Sequence, residues 1–403
     1  MNELEQQISA LTSEKLTPYV RKAIGKSTAK VMDWAYKPIS WEVINPVTAG
    51  ITRLTGMAVD DAQNIPWSIV LKCIQWMDLT GSPLEKDYMN EPTDWNYWKR
   101  EALAYKSGIL DKFKGNLVTP RCYGVLEQSE TSIWLWLEDI QELDRSIWNL
   151  DRHILAAKHF GEFNGTYVAN LPSLTDFPWL CTRFIQKWIQ MSFAFGYEEI
   201  IINPDFWNHS LTKLIFSTSI RERVVSLSQA INSLTDILDQ QTRTLSHQDT
   251  HFPNIFNRID AASQTKTIVI DWSYLGLAAI GEDLGNQIAG NLFNLYFDPS
   301  NAQIYYADAI NAYMDGLRQS GWNDDRKKVE FACATAGAIR YVTWGILMLN
   351  WMIQAKDAGE LSWFDSVAKE QNRSFEDVLG DWDVAFRFLL WLGEEAQRLA
   401  PHI

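Results

Sequence analysis

The first third of the chain shows short alternating runs of hydrophobic and polar residues, which predict β-strands. Segments 41–47, 51–59 and 67–74 have this pattern, with a turn predicted at 48–50 and a loop at 60–66. A helical spacing covers about 95–110, and two more strand candidates lie at 122–126 and 132–137. The predicted order is therefore three strands, a helix and two strands.

Beyond about residue 143 the apolar residues recur at a spacing of three and four, which predicts helices. Residues 1 to about 34 have a similar spacing, and a β-like insert interrupts the later helices at 245–271. The pattern predicts an α+β chain in three parts: a helical extension (1–40), a β-rich N-lobe (41–140) and a large helical C-lobe (141–403). The predicted C-lobe helices are 150–167, 179–195, 205–218, 221–240, 283–297, 300–320, 326–354 and 380–399.

Composition narrows the class of protein. The chain has 403 residues, of which 46% are hydrophobic and 21% charged, as expected of a folded protein with a large core. Its formal net charge of −14 disfavours nucleic acid and anionic membranes as partners. The same charge tolerates or attracts cationic ligands, although solubility is the ordinary reason for it.

Cysteines and apolar runs suggest a location. The four cysteines form no CxxC pair, which disfavours a zinc site or a disulfide framework. No apolar run reaches the roughly 18 residues of a membrane span, and the N-terminus lacks the layout of a signal peptide. We therefore predict a cytoplasmic protein without a membrane segment, in which residues 341–352 form a buried helix.

The most specific motif lies in the β-like insert. His247-Gln248-Asp249 is followed by Asn254, and Asp271 ends the apolar run 268–270. Phosphoryl transfer needs a carboxylate near the attacking hydroxyl and oxygen ligands that hold Mg²⁺ against the nucleotide phosphates. Asp249, Asn254 and Asp271 together offer such groups. The alternative is a coincidental His-x-Asp turn, with Asp271 an ordinary residue at the end of a strand.

This pattern closely resembles the catalytic loop and metal-binding aspartate of the aminoglycoside phosphotransferase and choline kinase superfamily. The superfamily usually has His-Gly-Asp, whereas this chain has Gln248 in the middle. The resemblance implies a bilobal protein-kinase-like fold in which Asp249 accepts or orients the hydroxyl proton and His247 shapes the loop. It also implies that Asn254 and Asp271 bind Mg²⁺, and that an acidic residue, here Asp283, caps the next helix.

The N-lobe is then expected to hold the nucleotide. Lys72 lies late in the third predicted strand, and Glu101 on the following helix resembles the glutamate that holds this lysine in kinases. The alternative is a solvent-exposed lysine and an ordinary surface glutamate.

Two further segments have weaker signals. The small residues Thr48 and Gly50 would let backbone amides approach phosphate, unless they form a plain hairpin turn. The segment from Glu138 to Ile140 resembles the hinge that meets the adenine base, unless it only begins the linker between the lobes.

The resemblance implies an ATP- or GTP- and Mg²⁺-dependent enzyme that phosphorylates a hydroxyl of a small molecule. An aminoglycoside, an amino alcohol or a sugar would qualify, and a cationic acceptor would find acidic candidates in Glu282, Asp381 and Asp383. A protein kinase is disfavoured, because Asp-Phe-Gly and Ala-Pro-Glu are absent. A non-catalytic binding protein with the same fold remains the alternative. Residues 1–35 and 355–403, the acceptor and the oligomeric state stay open.

Overall fold

A computed structural model of the protein describes residues 3–39, 47–77, 89–113, 115–141, 148–216, 219–360 and 363–403. Its N-terminal part contains three helices and six short or long strands. They are, in chain order, α1 (Glu3–Ser9), α2 (Ser13–Ile24), β1 (Lys30–Pro38), β2 (Thr48–Asp60), β3 (Gln63–Gln75), α3 (Arg100–Lys106), β4 (Leu117–Val118), β5 (Cys122–Ser129) and β6 (Ser132–Glu138).

Five of these strands form one antiparallel sheet in the order β1-β2-β3-β6-β5. Side chains alternate across a strand, so each face of the sheet has its own apolar set. Leu71 and Cys73 on one face pack with α1 and α2, whereas Ile74 on the other packs with the helix α3. Lys72 follows the same alternation and therefore lies on the face that packs against α3. A buried ammonium group on this apolar face needs a partner of opposite charge.

The start of the sheet differs from the sequence prediction. Strand β1 occupies Lys30–Pro38, where we predicted helix, and the strand predicted at 41–47 lies outside the described residues except for Val47. Residues 48–50 belong to β2 rather than to a turn. A tight hairpin at Asp61 and Ala62, which have positive φ angles of 45° and 65°, replaces the predicted loop 60–66. The predicted helix 95–110 is shorter, and the last two strands are confirmed.

The C-terminal part is mainly helical, as predicted. Its elements are α4 (Leu150–Val168), β7 (Cys181–Thr182), α5 (Phe184–Ala194), α6 (Tyr197–Ile202), α7 (Pro204–Asn208), α8 (Ser210–Ile215), α9 (Ile220–Asp239), β8 (Arg243–Ser246), β9 (Ile255–Ile259), β10 (Thr265–Val269), β11 (Gly276–Ala279), α10 (Glu282–Phe293), α11 (Ala302–Gln319), α12 (Arg326–Asp357), α13 (Trp363–Glu370) and α14 (Phe375–Leu399). The short strands form two small sheets, β4-β10-β9 and β7-β11-β8. The β-like insert predicted at 245–271 includes the end of β8 and all of β9 and β10, and residues 247–254 connect the first two of these strands.

Helix α12 is the core of this lobe. By length and composition it could cross a membrane, but 89% of its most apolar stretch is buried inside the protein. It packs against α10 and α14, as an internal helix of a globular protein does. The prediction of a buried helix at 341–352 is confirmed.

Helices α4 and α11 cross with their backbones in close contact. A Cβ atom added at Gly316 would lie 2.0 Å from the carbonyl oxygen of Lys158, and one added at Gly161 would lie 2.1 Å from that of Tyr313. Only glycine fits at such a crossing. The crossing fixes the position of α4 and therefore of its Asn164 side chain, which donates hydrogen bonds to Leu245 and Asp283.

Candidate active site

Three charged side chains from different elements meet below the N-lobe sheet. The Nζ atom of Lys72 lies 2.7 Å from Oε2 of Glu101 and 3.0 Å from Oδ1 of Asp271. Lys72 and Glu101 are buried, while the Asp271 side chain is 31% exposed. Strand β3, helix α3 and the turn after β10 therefore join at one ion cluster. The predicted contact between Lys72 and Glu101 is confirmed, and the solvent-exposed alternative is wrong.

Burial and charge oppose each other within this cluster. Burial alone would lower the pKa of Lys72, but the carboxylates of Asp271 and Glu101 outweigh burial and raise it. Burial raises the pKa of Glu101 to about 7, because the carboxylate has almost no contact with water. Burial would also raise the pKa of Asp271, yet the Lys72 ammonium overcomes this and lowers it. Asp271 is thus held as a carboxylate, the form that a metal ion binds.

The catalytic loop connects β8 to β9, and His247 holds its shape. The ring Nε2 of His247 lies 2.9 Å from the carbonyl oxygen of Ile270, and Nδ1 accepts a hydrogen bond from the backbone N–H of Asp249 at 3.1 Å. These partners assign the proton to Nε2. Both nitrogens are engaged, as expected of a residue that orders the loop rather than reacts.

Both oxygens of the Asp249 carboxylate accept hydrogen bonds. Oδ2 accepts a hydrogen bond from Nδ2 of Asn254 at 2.9 Å, and Oδ1 accepts one from Nη2 of Arg340 at 2.9 Å. Asn254 also donates to the backbone oxygen of Asp249 at 3.0 Å. Asp249 and Asn254 are thus adjacent, as predicted, whereas Arg340 is a partner that the motif did not contain.

Asp283 stabilises the loop rather than its own helix. Its Oδ1 accepts the backbone N–H of Gln248 at 2.8 Å, and its Oδ2 accepts that of His247 at 3.2 Å. Asn164 donates to the same carboxylate at 3.0 Å. The prediction that Asp283 is the N-cap is wrong, because Gly281 occupies that position of α10. Burial raises the pKa of Asp283, against the effect of these hydrogen bonds.

The middle residue of the motif has an unusual backbone. Gln248 adopts φ +66°, the left-handed region in which a Cβ atom costs about 1–2 kcal/mol. Glycine pays no such penalty, which gives a physical reason for the superfamily's usual His-Gly-Asp. Because the two loop amides are held by Asp283, the chain keeps this turn with a glutamine in it.

Asn254 and Asp271 lie at the same end of the strand pair β9–β10. Strands β9 and β10 pair Ile255 with Val269, and the N–H of Ile270 donates to the backbone oxygen of Asn254 at 3.0 Å. Asn254 directly precedes Ile255, and Asp271 directly follows Ile270. Both residues therefore lie at the same end of the strand pair. The Asn254 amide nitrogen makes its contacts with Asp249 and His251, and this orientation leaves the amide oxygen directed away from them.

These two side chains fit a magnesium ion. Mg²⁺ is usually held by one or two protein oxygens, with water and substrate phosphates completing its coordination. An amide oxygen and an ionised carboxylate are such ligands. Among the described residues no group of three or more His, Cys, Asp or Glu side chains is arranged to hold a metal ion, so a site made of protein ligands alone is not found there.

The small residues at the start of β2 lie in a strand rather than in a turn. A Cβ atom at Gly50 would lie 2.5 Å from Cδ2 of Leu4, so Gly50 makes room for helix α1 on the outer face of the sheet. Thr48 pairs with Ile74 in the sheet. Neither residue forms the predicted nucleotide-covering turn. The connection between β1 and β2 takes that position in the chain, and residues 40–46 lie outside the described part.

The predicted hinge joins the two lobes through ion pairs. The Glu138 carboxylate lies 2.6 Å from Nη1 of Arg258 on β9 and 3.3 Å from Nη2 of Arg121. Burial would raise the pKa of Glu138, but the Arg121 N–H and these two arginines lower it. Ile140 follows in the connecting segment. The side chain of Glu138 thus fixes the lobes, and contact of residues 138–140 with adenine stays a prediction.

The acidic residues suggested for a cationic acceptor already have partners. Asp381 lies 2.6 Å from Arg373, Asp383 lies 2.9 Å from Arg387, and Glu282 lies 3.6 Å from Arg243. Burial raises the pKa of Glu282 to about 7, so its charge is further weakened. These three carboxylates therefore offer little free negative charge to a substrate.

The chain matches no protein-family model and no curated protein. Among solved structures it is similar to a spectinomycin phosphotransferase bound to ADP and spectinomycin, with 14% identity, a TM-score of 0.46, and coverage of 96% of this chain and 99% of that chain. It is similar to an ethanolamine kinase of Plasmodium vivax, with 15% identity, a TM-score of 0.44 and coverage of 88% and 85%. A kanamycin and GDP complex of an aminoglycoside phosphotransferase gives 10% identity, a TM-score of 0.44 and coverage of 90% and 97%.

The architecture and the ion cluster decide the fold. A five-stranded antiparallel sheet carries Lys72, the next helix carries Glu101, and a mainly helical lobe carries the loop with Asp249 and Asn254. This is a kinase-like fold. The fold class predicted from the sequence is therefore confirmed, and the chemistry has to be argued from the site itself.

Proposed function

We propose that the protein transfers the γ-phosphoryl group of a nucleoside triphosphate, with Mg²⁺, to a hydroxyl group of a small molecule. One observation carries the proposal: Asp249, Asn254, Asp271 and Lys72 belong to one connected site. Asn254 contacts Asp249 at 2.9 Å, the backbone of Ile270 links Asn254 to Asp271, and Asp271 contacts Lys72 at 3.0 Å. Three separate chain segments supply these groups: strand β3, the loop between β8 and β9, and the turn after β10.

Each group has a role that follows from its chemistry. As the acceptor oxygen forms its bond to the γ-phosphorus, the bond from phosphorus to the β–γ bridging oxygen breaks. The nucleoside diphosphate leaves with that electron pair, and the hydroxyl proton passes to the Asp249 carboxylate. Lys72 offers a fixed cation to the nucleotide phosphates, and Glu101 keeps it in place. Mg²⁺, held by Asn254 and Asp271, would neutralise charge on the phosphates.

A cavity at the far end of β9 supports binding of a nucleoside there. It has a volume of about 450 Å³ and is lined by Gln141 after the hinge, Leu155 on α4, and Asn257 and Arg258 on β9. Arg258 on β9 is four positions after Asn254, which corresponds to about 13 Å of extended chain. That distance suits the span from a metal-bound phosphate to a ribose and base. The Leu155→Trp variant is expected to fill the cavity and weaken nucleotide binding.

The test is an ADP-release screen with a matched inactive variant. Wild-type protein and Asp249→Asn are incubated with Mg²⁺ and ATP, or GTP, and with aminoglycosides, choline-like alcohols, sugars and nucleosides in turn. We expect at least one acceptor to accelerate ADP release by the wild type, and Asp249→Asn to lose at least about 99% of that rate. Asp249→Asn conserves the shape of the side chain, so nucleotide binding is expected to persist.

Two other outcomes would contradict the proposal. Nucleotide binding without release of diphosphate for any acceptor would favour the alternative, a non-catalytic binding protein with this fold. An acceptor-stimulated rate that Asp249→Asn retains would place the chemistry elsewhere in the protein.

A further inference from the structure

Arg340 contacts the catalytic loop at two adjacent points. Its Nη2 donates to Oδ1 of Asp249 at 2.9 Å, and its Nη1 donates to the backbone oxygen of Gln248 at 2.5 Å. One planar guanidinium thus binds both the reacting side chain and the peptide that precedes it. Such a fork fixes orientation as well as position, which a lysine ammonium does not do.

Arg340 is itself held rigidly. It is buried on α12, and its guanidinium carbon lies 4.9 Å from the ring centroid of Phe184, 5.0 Å from Trp188, 5.4 Å from Tyr341 and 6.0 Å from Tyr274. Aromatic faces attract a cation at these distances. Tyr274 follows Asp271 by three residues, so the same cage also touches the segment that carries the metal-binding carboxylate. Arg340 therefore has little freedom to leave Asp249.

The neighbouring residue of α12 supports the same loop from another side. The Asn286 amide donates to the hydroxyl of Tyr341 at 2.8 Å, and the Asn286 carbonyl accepts from the N–H and the hydroxyl of Thr250. Arg340 and Tyr341 together connect the central helix of the lobe to Gln248, Asp249 and Thr250. The contact of Arg340 is the one that reaches the reacting carboxylate.

We infer that Arg340 is a positioning residue for the phosphoryl transfer, which fixes the Asp249 carboxylate toward the acceptor hydroxyl. This inference rests on the proposed function. With Oδ1 bound by Arg340 and Oδ2 by Asn254, the carboxylate cannot rotate about its last bond without losing a charge-assisted hydrogen bond. The aromatic cage is already filled by the protein's own cation, so it is not a binding site for a cationic acceptor.

The experiment is chemical rescue of Arg340→Ala by guanidinium ion. The probe reaction is hydrolysis of Mg²⁺-ATP, in which water replaces the unknown acceptor. We expect kcat to fall about 100-fold, while the nucleotide Kd stays within about twofold of the wild type. The reason is that Arg340 contacts Asp249, which accepts the proton, and does not contact the nucleotide. Millimolar guanidinium, entering the emptied cage, is expected to restore activity at least tenfold. Arg340→Lys is expected to stay impaired and to gain nothing from guanidinium.

Arg223 supplies the matched control. It also joins one carboxylate, Glu394 at 2.6 Å, to one backbone oxygen, that of Arg387 at 3.3 Å, but it connects α9 to α14, and neither helix carries a residue of the candidate site. Arg223→Ala is expected to keep wild-type hydrolysis with and without guanidinium. Thermal unfolding of each variant identifies a folding defect, and if Arg340→Ala does not fold, Arg340→Lys decides the question.

The possible results separate this inference from the proposed function. Two results would overturn the positioning role and leave the proposed function standing. One is an unchanged kcat in Arg340→Lys. The other is a loss of activity in Arg340→Ala that matches the loss of folded protein and is not reversed by guanidinium. A wild-type protein that hydrolyses no ATP and phosphorylates no acceptor would overturn both.

Discussion

Replacement of Lys72 by methionine is expected to give the protein a new pH dependence of stability. The variant leaves the Glu101 carboxyl buried at 2% exposure and without its 2.7 Å partner. Burial already raises the pKa of Glu101 from 4.5 to about 7 when Lys72 is present, and removal of the ammonium raises it further. In the variant, therefore, Glu101 folds as a neutral acid.

The size of the effect follows from proton linkage. An acid whose pKa is raised in the folded state does not destabilise the protein below its unfolded pKa, which is 4.5 for Glu101. Above pH 4.5 the free energy of unfolding falls by about 1.4 kcal/mol per pH unit until the folded pKa is reached. At pH 7 the interval of 2.5 units gives about 3 kcal/mol, and at pH 5 the cost is below about 1 kcal/mol. Lys72→Met/Glu101→Gln lacks the Glu101 carboxyl, so its free energy of unfolding is expected to exceed that of Lys72→Met by these amounts.

Urea unfolding of both variants at pH 5, 6 and 7 measures this difference, and the titrations of groups remote from Glu101 cancel between them. Lys106 provides the control, because it pairs with Glu127 at the surface, with side chains 41% and 64% exposed. Lys106→Met and Lys106→Met/Glu127→Gln are expected to show no pH-dependent difference. A constant gap between the two Lys72 variants across this range would refute the buried-pair reasoning.

Three further outcomes are expected. Asp271→Ala should weaken Mg²⁺-nucleotide binding at least tenfold in calorimetry, and wild-type affinity would contradict its role as a metal ligand. Gly316→Ala should destabilise the protein by about 2 kcal/mol or more in urea, since its Cβ would lie 2.0 Å from a backbone oxygen, whereas Gly380→Ala, with no atom within 4 Å, should stabilise α14 by about 0.5–1 kcal/mol. Burial lowers the pKa of both His153 and His159 from 6.5 to about 4, so stability present above pH 6.5 should be lost toward pH 4, by up to about 3 kcal/mol for each. Because Glu101 and Glu282 titrate in the opposite sense over this range, the wild type is compared with His153→Gln/His159→Gln, and the same pH profile for both proteins would contradict this.

The proximity of Asp249 and Asn254 was predictable because the two residues are close in sequence. Asp249 and Asn254 are five residues apart, and Asp271 ends an apolar strand, so short-range patterns suffice to find them. Lys72 and Glu101 required the additional assumption that the helix follows the sheet in space. That assumption holds, because α3 covers the apolar face of β3 that bears Lys72.

Long-range partners were not predictable from the motif. Arg340 lies 91 residues after Asp249, and nothing local to the loop indicates its partner. A signal does exist in its own surroundings: an arginine amid the apolar residues 329–349 of a predicted buried helix needs an anion nearby. The position of Asp283 predicts a cap for its own helix, because capping is the common role of an aspartate at such a position, and only the fold brings its carboxylate to the loop amides.

The errors in the N-lobe have local causes. Residues 30–38 mix charged and aromatic residues, and six of the nine are exposed, so β1 lacks a clear apolar alternation. Glycine often marks a turn, so the sequence predicts a turn at Gly50. In the structure, Gly50 instead lies in a strand where the Leu4 side chain packs closely against the backbone. Only the packing of α1 on the sheet reveals this.

The most direct test of phosphoryl transfer is detection of the phosphorylated product itself. A single-turnover reaction of the wild type with γ-³²P-labelled ATP, Mg²⁺ and an acceptor from the screen is compared with Asp249→Asn at saturating nucleotide. The account predicts that label appears in a phosphate ester of the acceptor with the wild type, and that Asp249→Asn binds the nucleotide but leaves the label in ATP. Equal transfer by both proteins would contradict it.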